Sequence, residues 1–250
     1  MLDEQTVGKL YEMKLNGMAE AYEEQRQQPR MAELSFEERF AMLVDRQLIW
    51  KEARALKTRL RHARFKVSAC IEDIDYRSQR GLKRQQIDQL ASSQWIEYHQ
   101  HVIITGPTGT GKTFLACAIG NKACRDGFRV RYFVAAKLFR YLTAAHADGS
   151  YIRLSGQLAR THLLIIDDWG LETFQDSQYR DFLEILDDRQ GYGSTLITSQ
   201  FRINIWHDTI GNPTVADAIL DRLIHHSHRI ELTGDSMRKR KGGLTSDSKE

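Results

Sequence analysis

Apolar positions along the chain fall into two regimes. Up to residue 66 they recur at helical spacing, as in Phe36, Phe40, Leu43 and Val44, and continue loosely through Leu48, Ile49, Ala53, Leu56 and Leu60. No strand signal appears there, and Gly17 and Pro29 mark expected breaks between shorter helices. From residue 101 the pattern changes. The short apolar runs "HVIIT", "RVRYFVA", "HLLIID" and "STLITS" alternate with helical patterns, as in a parallel sheet flanked by helices. Residues 67–100 read as a connector with one helical segment, whose Ile87 and Leu90 share an apolar side. The expected fold class is α/β: a small all-helical N-terminal domain at 1–66, the connector, a sheet-and-helix domain at 101–241 and a loose tail at 242–250.

The turn after the first run carries chemistry. Gly106 to Thr113 reads "GPTGTGKT", the phosphate-binding pattern, set between an apolar strand and a helix that ends at Gly127. Gly106, Gly109 and Gly111 let the backbone wrap so that its N–H groups face phosphate. Pro107, Thr108 and Thr110 complete the loop, Lys112 supplies a charge for the β- and γ-phosphates, and Thr113 a hydroxyl for Mg²⁺. A second element is needed to hold the metal, and "LLIIDDWG" supplies it: four apolar residues, then Asp167 and Asp168 at the strand end where open α/β sheets bind ligands. Asp167 is assigned to Mg²⁺ and Asp168 to polarising the attacking water. Thr198, at the end of "STLITS", is placed to orient that water, with Ser199 as a competitor. Arg222 in "AILDRLIHH" and Arg238 in "GDSMRKRK" stand out downstream, each open to a structural or DNA-contacting reading as well.

Charge changes the picture only through its distribution. Net charge is +3, but residues 1–50 hold six Lys/Arg against ten Asp/Glu, while 51–66 hold seven Lys/Arg against one acid. Arg54, Lys57, Arg61 and Arg64 recur at spacings that place them on one helix face, either a solvated surface or a phosphate-contacting stripe. Three cysteines without a C-x-x-C pair argue against a disulfide framework or zinc site. The absence of a signal-like segment or a long apolar run points to the cytoplasm, with no membrane partner. His225, His226 and His228 invite a metal reading, but without Cys or acid at ligand spacing a surface or helix-end role is expected.

The helical prefix with "NGMAEAYEEQ", the connector and loop "LKRQQIDQLASSQWIEYHQHVIITGPTGTGKTFLA", and the later "LLIIDDWG", "LITSQF" and "ILDRL" resemble the IstB-like transposition helper ATPases. These are relatives of the helicase loader DnaC and the initiator DnaA within the AAA+ superfamily, and the resemblance runs from about Gly17 to Lys241. It implies an AAA+ P-loop core, ATP and Mg²⁺ as cofactors, and a homo-oligomer with ATP sites between subunits. In that arrangement Arg222 looks like the arginine finger, Thr198 like the first sensor and Arg238 like the second. Arg189 in "LDDRQGYGS" is the second choice for a contact in trans. Asp168 departs from the commoner Glu, so slow hydrolysis stimulated by DNA or a partner is expected. The initiator branch carries an extra helix after the second strand, and Lys137, Arg140, Tyr141 and Arg153 there are candidates for DNA backbone contacts.

The function implied is an ATP-dependent helper that assembles on double-stranded target DNA and recruits its cognate transposase, hydrolysis limiting the assembly's lifetime. A DnaC-like helicase loader shares the core but would prefer single strands. A P-loop small-molecule kinase would need an acceptor pocket and a lid, whereas this chain has a helical prefix and late arginines. A module that binds nucleotide without turnover is compatible with Asp168.

Overall fold

The computed structural model describes residues 2–77 and 80–237, and the chain divides into two compact units, 1–58 and 59–250. In the first, α1 (Leu2–Glu12) packs on α2 (Asn16–Gln27), and a 3₁₀ turn at Pro29–Glu33 leads into the long α3 (Phe36–Ala63), whose last residues belong to the second unit. The start of α3 is fixed reciprocally: the Glu38 N–H donates to Ser35 Oγ at 3.2 Å, and the Ser35 N–H donates to Glu38 Oε2 at 2.8 Å. Gly17 does not break a helix. It sits in the first turn of α2, so close to α3 that a Cβ there would stand 2.6 Å from Trp50 Cβ. Its lack of a side chain serves packing, which spacing alone does not reveal.

The second unit continues with α4 (Arg84–Ala91) and the short α5 (Gln94–Glu97), which lead into β1 (His101–Thr105). Then come α6 (Lys112–Arg125), β2 (Val130–Val134), α7 (Ala135–Asp148), α8 (Tyr151–Ala159), β3 (Leu163–Trp169) and α9 (Asp176–Arg189). The unit closes with β4 (Ser194–Ser199), α10 (Ile203–Ile210), α11 (Pro213–Ile224) and β5 (Ser227–Glu231). The strands form one parallel sheet in the order β2-β3-β4-β1-β5. Strands covered on both faces read as largely apolar runs, which is why β1, β3 and β4 were visible in the sequence, and β2, at one sheet edge and only part-buried, was visible through Val130, Tyr132, Phe133 and Val134. β5 was not: in "SHRIE" only Ile230 is buried, and the strand lies at the sheet edge. Phe139, Trp169, Tyr179, Phe182 and Trp206 meet in an aromatic cluster of the core, and α6 packs across β3 and β4. Among the described residues no helix is long and apolar enough to cross a membrane.

At the start of β1, the Thr195 N–H donates to His101 Nδ1 at 3.0 Å. Burial, with Arg189 nearby, pushes the His101 imidazole down to about 4. The folded state therefore keeps this ring neutral while the unfolded chain takes up a proton near pH 6.5, so stability falls as pH drops from 6.5 towards 4, by at most about 3 kcal/mol. His101→Asn, whose carbonyl can replace Nδ1 as acceptor, is expected to flatten the acid limb of a Tm-against-pH curve. Equal slopes in the two proteins would remove His101 as the cause.

Candidate nucleotide site

The C-terminal ends of β1, β4 and β3, neighbours in that order, bring the phosphate loop and the acidic pair to one edge of the sheet. The loop runs from β1 straight into the N-terminus of α6, where the helix dipole favours phosphate. Gly106 has φ 146°, and a Cβ there would lie 2.3 Å from the Leu232 carbonyl oxygen, so the chain after β5 fits only against glycine. Lys112 is 6% exposed, and its Nζ donates to the carbonyls of Gly106 at 2.6 Å and Pro107 at 2.9 Å.

Asp167 is fully buried and held by hydroxyls from three elements. Thr113 Oγ1 stands 2.9 and 3.1 Å from its two carboxylate oxygens, Tyr132 on β2 donates to Oδ2 at 2.5 Å, and Thr198 donates to Oδ1. Burial, and then the bond to this carboxylate, raise the Tyr132 phenol far above its ordinary range, so it stays a donor. Asp168 follows with φ 61°, at a shift of register between β3 and β4. Such an irregularity turns a side chain that alternation would otherwise bury, and Asp168 lines the cavity beside the loop. Its N–H donates to Thr198 Oγ1 at 3.1 Å, so the Thr198 hydroxyl ties the two acids together. Ser199 does not compete: its hydroxyl donates to the Trp169 carbonyl at 2.8 Å and accepts from the Phe201 N–H.

The cavity holds about 690 Å³ and is lined by the loop, by Asp168, by Lys66 and by connector residues that include Val67, Asp75 and Arg80. Arg80, 4% exposed, donates to the carbonyls of Thr110 at 2.9 Å and Asp75 at 3.0 Å, fastening the connector to the phosphate loop. Lys66 Nζ stands 3.4 Å from Asp168 and 3.7 Å from Asp167. Sequence reasoning missed Tyr132, Arg80 and Lys66. Tyr132 had a signal, because a tyrosine within a buried strand needs a partner for its hydroxyl. The other two had none beyond their charge. Thr113 and Asp167 form a set of hard oxygen donors suited to Mg²⁺, and the ammonium of Lys66 beside the acids marks the point as one that attracts a cation.

The remaining candidates lie elsewhere. Arg222, on α11, pairs with Asp187 and donates to the Ala218 carbonyl at 2.9 Å, and it is absent from the lining of the phosphate-loop cavity. Arg189 does not present itself to a neighbour: it is 1% exposed, and its guanidinium donates to the carbonyls of Leu158, Thr161 and Ser194. The expectation of a trans contact from Arg189 is therefore corrected to an internal clamp. Arg238 lies outside the described residues, as does the tail at 242–250. Arg54, Lys57 and Arg61 are exposed on α3, whereas Arg64 is exposed one residue past its end with φ 57°, so the helical stripe holds three residues. Lys137, Arg140 and Tyr141 are exposed on α7 and Arg153 on α8, with Phe139 and Leu142 turned into the core. His225 pairs with Asp221 at 3.0 Å, while His228 bonds to Gln100 at 2.7 Å.

A phosphate loop leading into a helix, with a buried carboxylate one strand removed in a five-stranded parallel sheet, defines a P-loop protein of AAA+ architecture. The chain belongs to the IstB-like ATP binding protein family, whose model matches residues 8–244. It is 47% identical over 239 residues to an insertion-sequence ATP-binding protein of Sinorhizobium fredii (strain NBRC 101917 / NGR234), covering 96% of this chain and 98% of that one. In fold it is similar to the crystal structure of DnaI, with TM-score 0.56, 21% identity and coverage of 71% of this chain and 94% of that one. It is also similar to the replication initiator DnaA bound to AMPPCP and single-stranded DNA, with TM-score 0.58, 18% identity and coverage of 74% of this chain and 58% of that one.

Proposed function

We propose that this protein is a cytoplasmic ATPase of insertion-sequence transposition, which assembles with ATP on double-stranded target DNA and recruits the cognate transposase. The observation that carries the ATPase reading is Asp167, buried, gripped by three hydroxyls and facing Thr113 at the end of the phosphate loop. Support for the transposition reading comes from family membership along nearly the whole chain.

Within this reading the loop N–H groups and Lys112 bind the β- and γ-phosphates. Thr113 and Asp167 would hold Mg²⁺, which would supply neutralisation of phosphate charge. Asp168, turned out of the strand beside Asp167, orients the attacking water and accepts its proton. Thr198 keeps the two acids in register. Arg222 of one subunit reaches the γ-phosphate held by the next, and Arg238 has the role of the second sensor. Arg54, Lys57, Arg61 and Arg64, with Lys137, Arg140, Tyr141 and Arg153, meet DNA phosphates, which give affinity rather than sequence choice.

The test is sedimentation with duplex or single-stranded DNA, each with and without ATP·Mg²⁺. A large species that requires both duplex and ATP is expected. A small species that prefers single strands would replace this reading with a helicase loader, and indifference to both DNAs would leave a small-molecule kinase. Charge reversal at Arg54, Lys57 and Arg61 is expected to weaken duplex binding and reduce the slope of log K against log[salt] by about one for each phosphate that is no longer neutralised. An unchanged slope would return the stripe to a solvated surface.

A further inference from the structure

The stretch from Arg59 to Val67 is docked along the nucleotide site, and none of the assigned roles explains why. Arg59 donates to the Cys124 carbonyl at the end of α6 at 2.7 Å, Arg131 on β2 donates to the His62 carbonyl at 3.3 Å, and Ala63 is fully buried. Arg64 then takes the left-handed conformation, which few non-glycine residues adopt. The turn lays Phe65 edge-on to Tyr132, with ring centroids 6.5 Å apart, and against Gly120 of α6, where a Cβ would meet the Phe65 ring at 2.6 Å. The next residue is Lys66, whose ammonium reaches both carboxylates of the acidic pair. Tyr132 thus touches the docked stretch with its ring and Asp167 with its hydroxyl.

A lysine in that place has a chemical consequence. The acids that would hold Mg²⁺ and polarise water are already paired with a cation supplied by the chain, and Mg²⁺ bound there would meet a like charge. We propose that Lys66 is a positioning residue that competes with Mg²⁺ for Asp167 and Asp168, and that polyanion binding at Arg61 and Arg64 draws it away and so favours Mg²⁺·ATP. The inference rests on the proposed ATPase reading and adds the link from DNA to the site. By reciprocity, Mg²⁺·ATP then tightens the hold on DNA. The Lys66 side chain is 45% exposed, so water and salt screen the competition and its effect is moderate.

The experiment titrates MgCl₂ into the full-length protein with a fluorescent, non-hydrolysable ATP analogue and reads the Mg²⁺ midpoint of nucleotide binding. Lys66→Gln is expected to lower that midpoint about fivefold, equivalent to about 1 kcal/mol, while Lys66→Arg keeps the wild-type value. Thermal melting checks that both variants fold. Adding random-sequence duplex should lower the wild-type midpoint by a similar factor and leave Lys66→Gln where it is. An unchanged or higher midpoint in Lys66→Gln without DNA would overturn the competition, the higher value meaning that Lys66 helps to bind nucleotide. If the wild type binds duplex, measured by anisotropy, without a shift of midpoint, the DNA link is overturned. Failure of the wild type to bind duplex at all would instead count against the functional reading, and the DNA-free titration still decides the competition.

Discussion

Lys112→Ala is expected to lower nucleotide affinity about a hundredfold, which corresponds to about 3 kcal/mol for a charge-assisted contact made by a buried ammonium. The expectation follows from where the side chain stands. Lys112 is buried at the first turn of α6, and its ammonium rests on the carbonyls of Gly106 and Pro107, within the loop that would surround the phosphates. An anionic phosphate is a stronger partner than two carbonyls, so the ammonium exchanges one for the other on binding. Removing it abolishes the bond to phosphate and leaves those carbonyls without their donor, so part of the loss is local to the loop. Fluorescent-nucleotide titration measures the affinity, and thermal melting of the free proteins separates the two contributions. Affinity within threefold of wild type would remove the phosphate loop from the mechanism, and with it the proposed control of assembly by ATP.

The phosphate loop and the acids were legible in the sequence because their chemistry is local. "GPTGTGKT" must follow a strand and open a helix, and "LLIIDD" must end at the ligand edge of a parallel sheet; both conditions can be checked along a single chain. The three interior strands were legible for the same reason, since burial on both faces writes itself as largely apolar runs, and β2 at one edge kept enough apolar residues to be read as well. What stayed hidden depends on contacts between distant segments. Tyr132 looked like one more core residue until β2 was laid beside β3, where it stands two positions before Val134, the register partner of Asp167, and its hydroxyl reaches that carboxylate. Arg80 and Lys66 precede the sheet by many residues, and their charges could not be told from those of the solvated connector. Arg189 misled in the opposite direction: an arginine at the end of α9 suggested an exposed edge, yet the turn at Gly193 passes so close that the guanidinium is enclosed and spent on backbone carbonyls. The aspartate at Asp168 was legible as a residue but not as a conformation, since its left-handed backbone arises from the mismatch between β3 and β4.

Arg222→Ala is expected to leave nucleotide affinity of the free chain unchanged and to lower turnover of the DNA-bound assembly about a thousandfold, the scale on which an arginine supplied in trans acts. Within one chain the side chain pairs with Asp187 and is absent from the cavity at the phosphate loop, so it contributes nothing to binding in cis. Its pair with Asp187 is partly exposed, at 28% and 44% of the two side chains, which makes it cheap to exchange for a γ-phosphate presented by a neighbour. The two inactive variants complement each other under this reading. A subunit with Arg222→Ala keeps an intact phosphate loop, and a neighbour with Lys112→Ala keeps an intact arginine, so one of their shared interfaces is complete. Random mixing in equal amounts gives about a quarter of interfaces both halves, because a head-to-tail contact draws its two sides from different subunits. ATP turnover of the mixture should therefore rise well above that of either variant alone. If the two variants co-sediment on duplex DNA and turnover stays at the level of the separate proteins, Arg222 is not the trans residue, and its pairing with Asp187 is a structural link between α11 and α9.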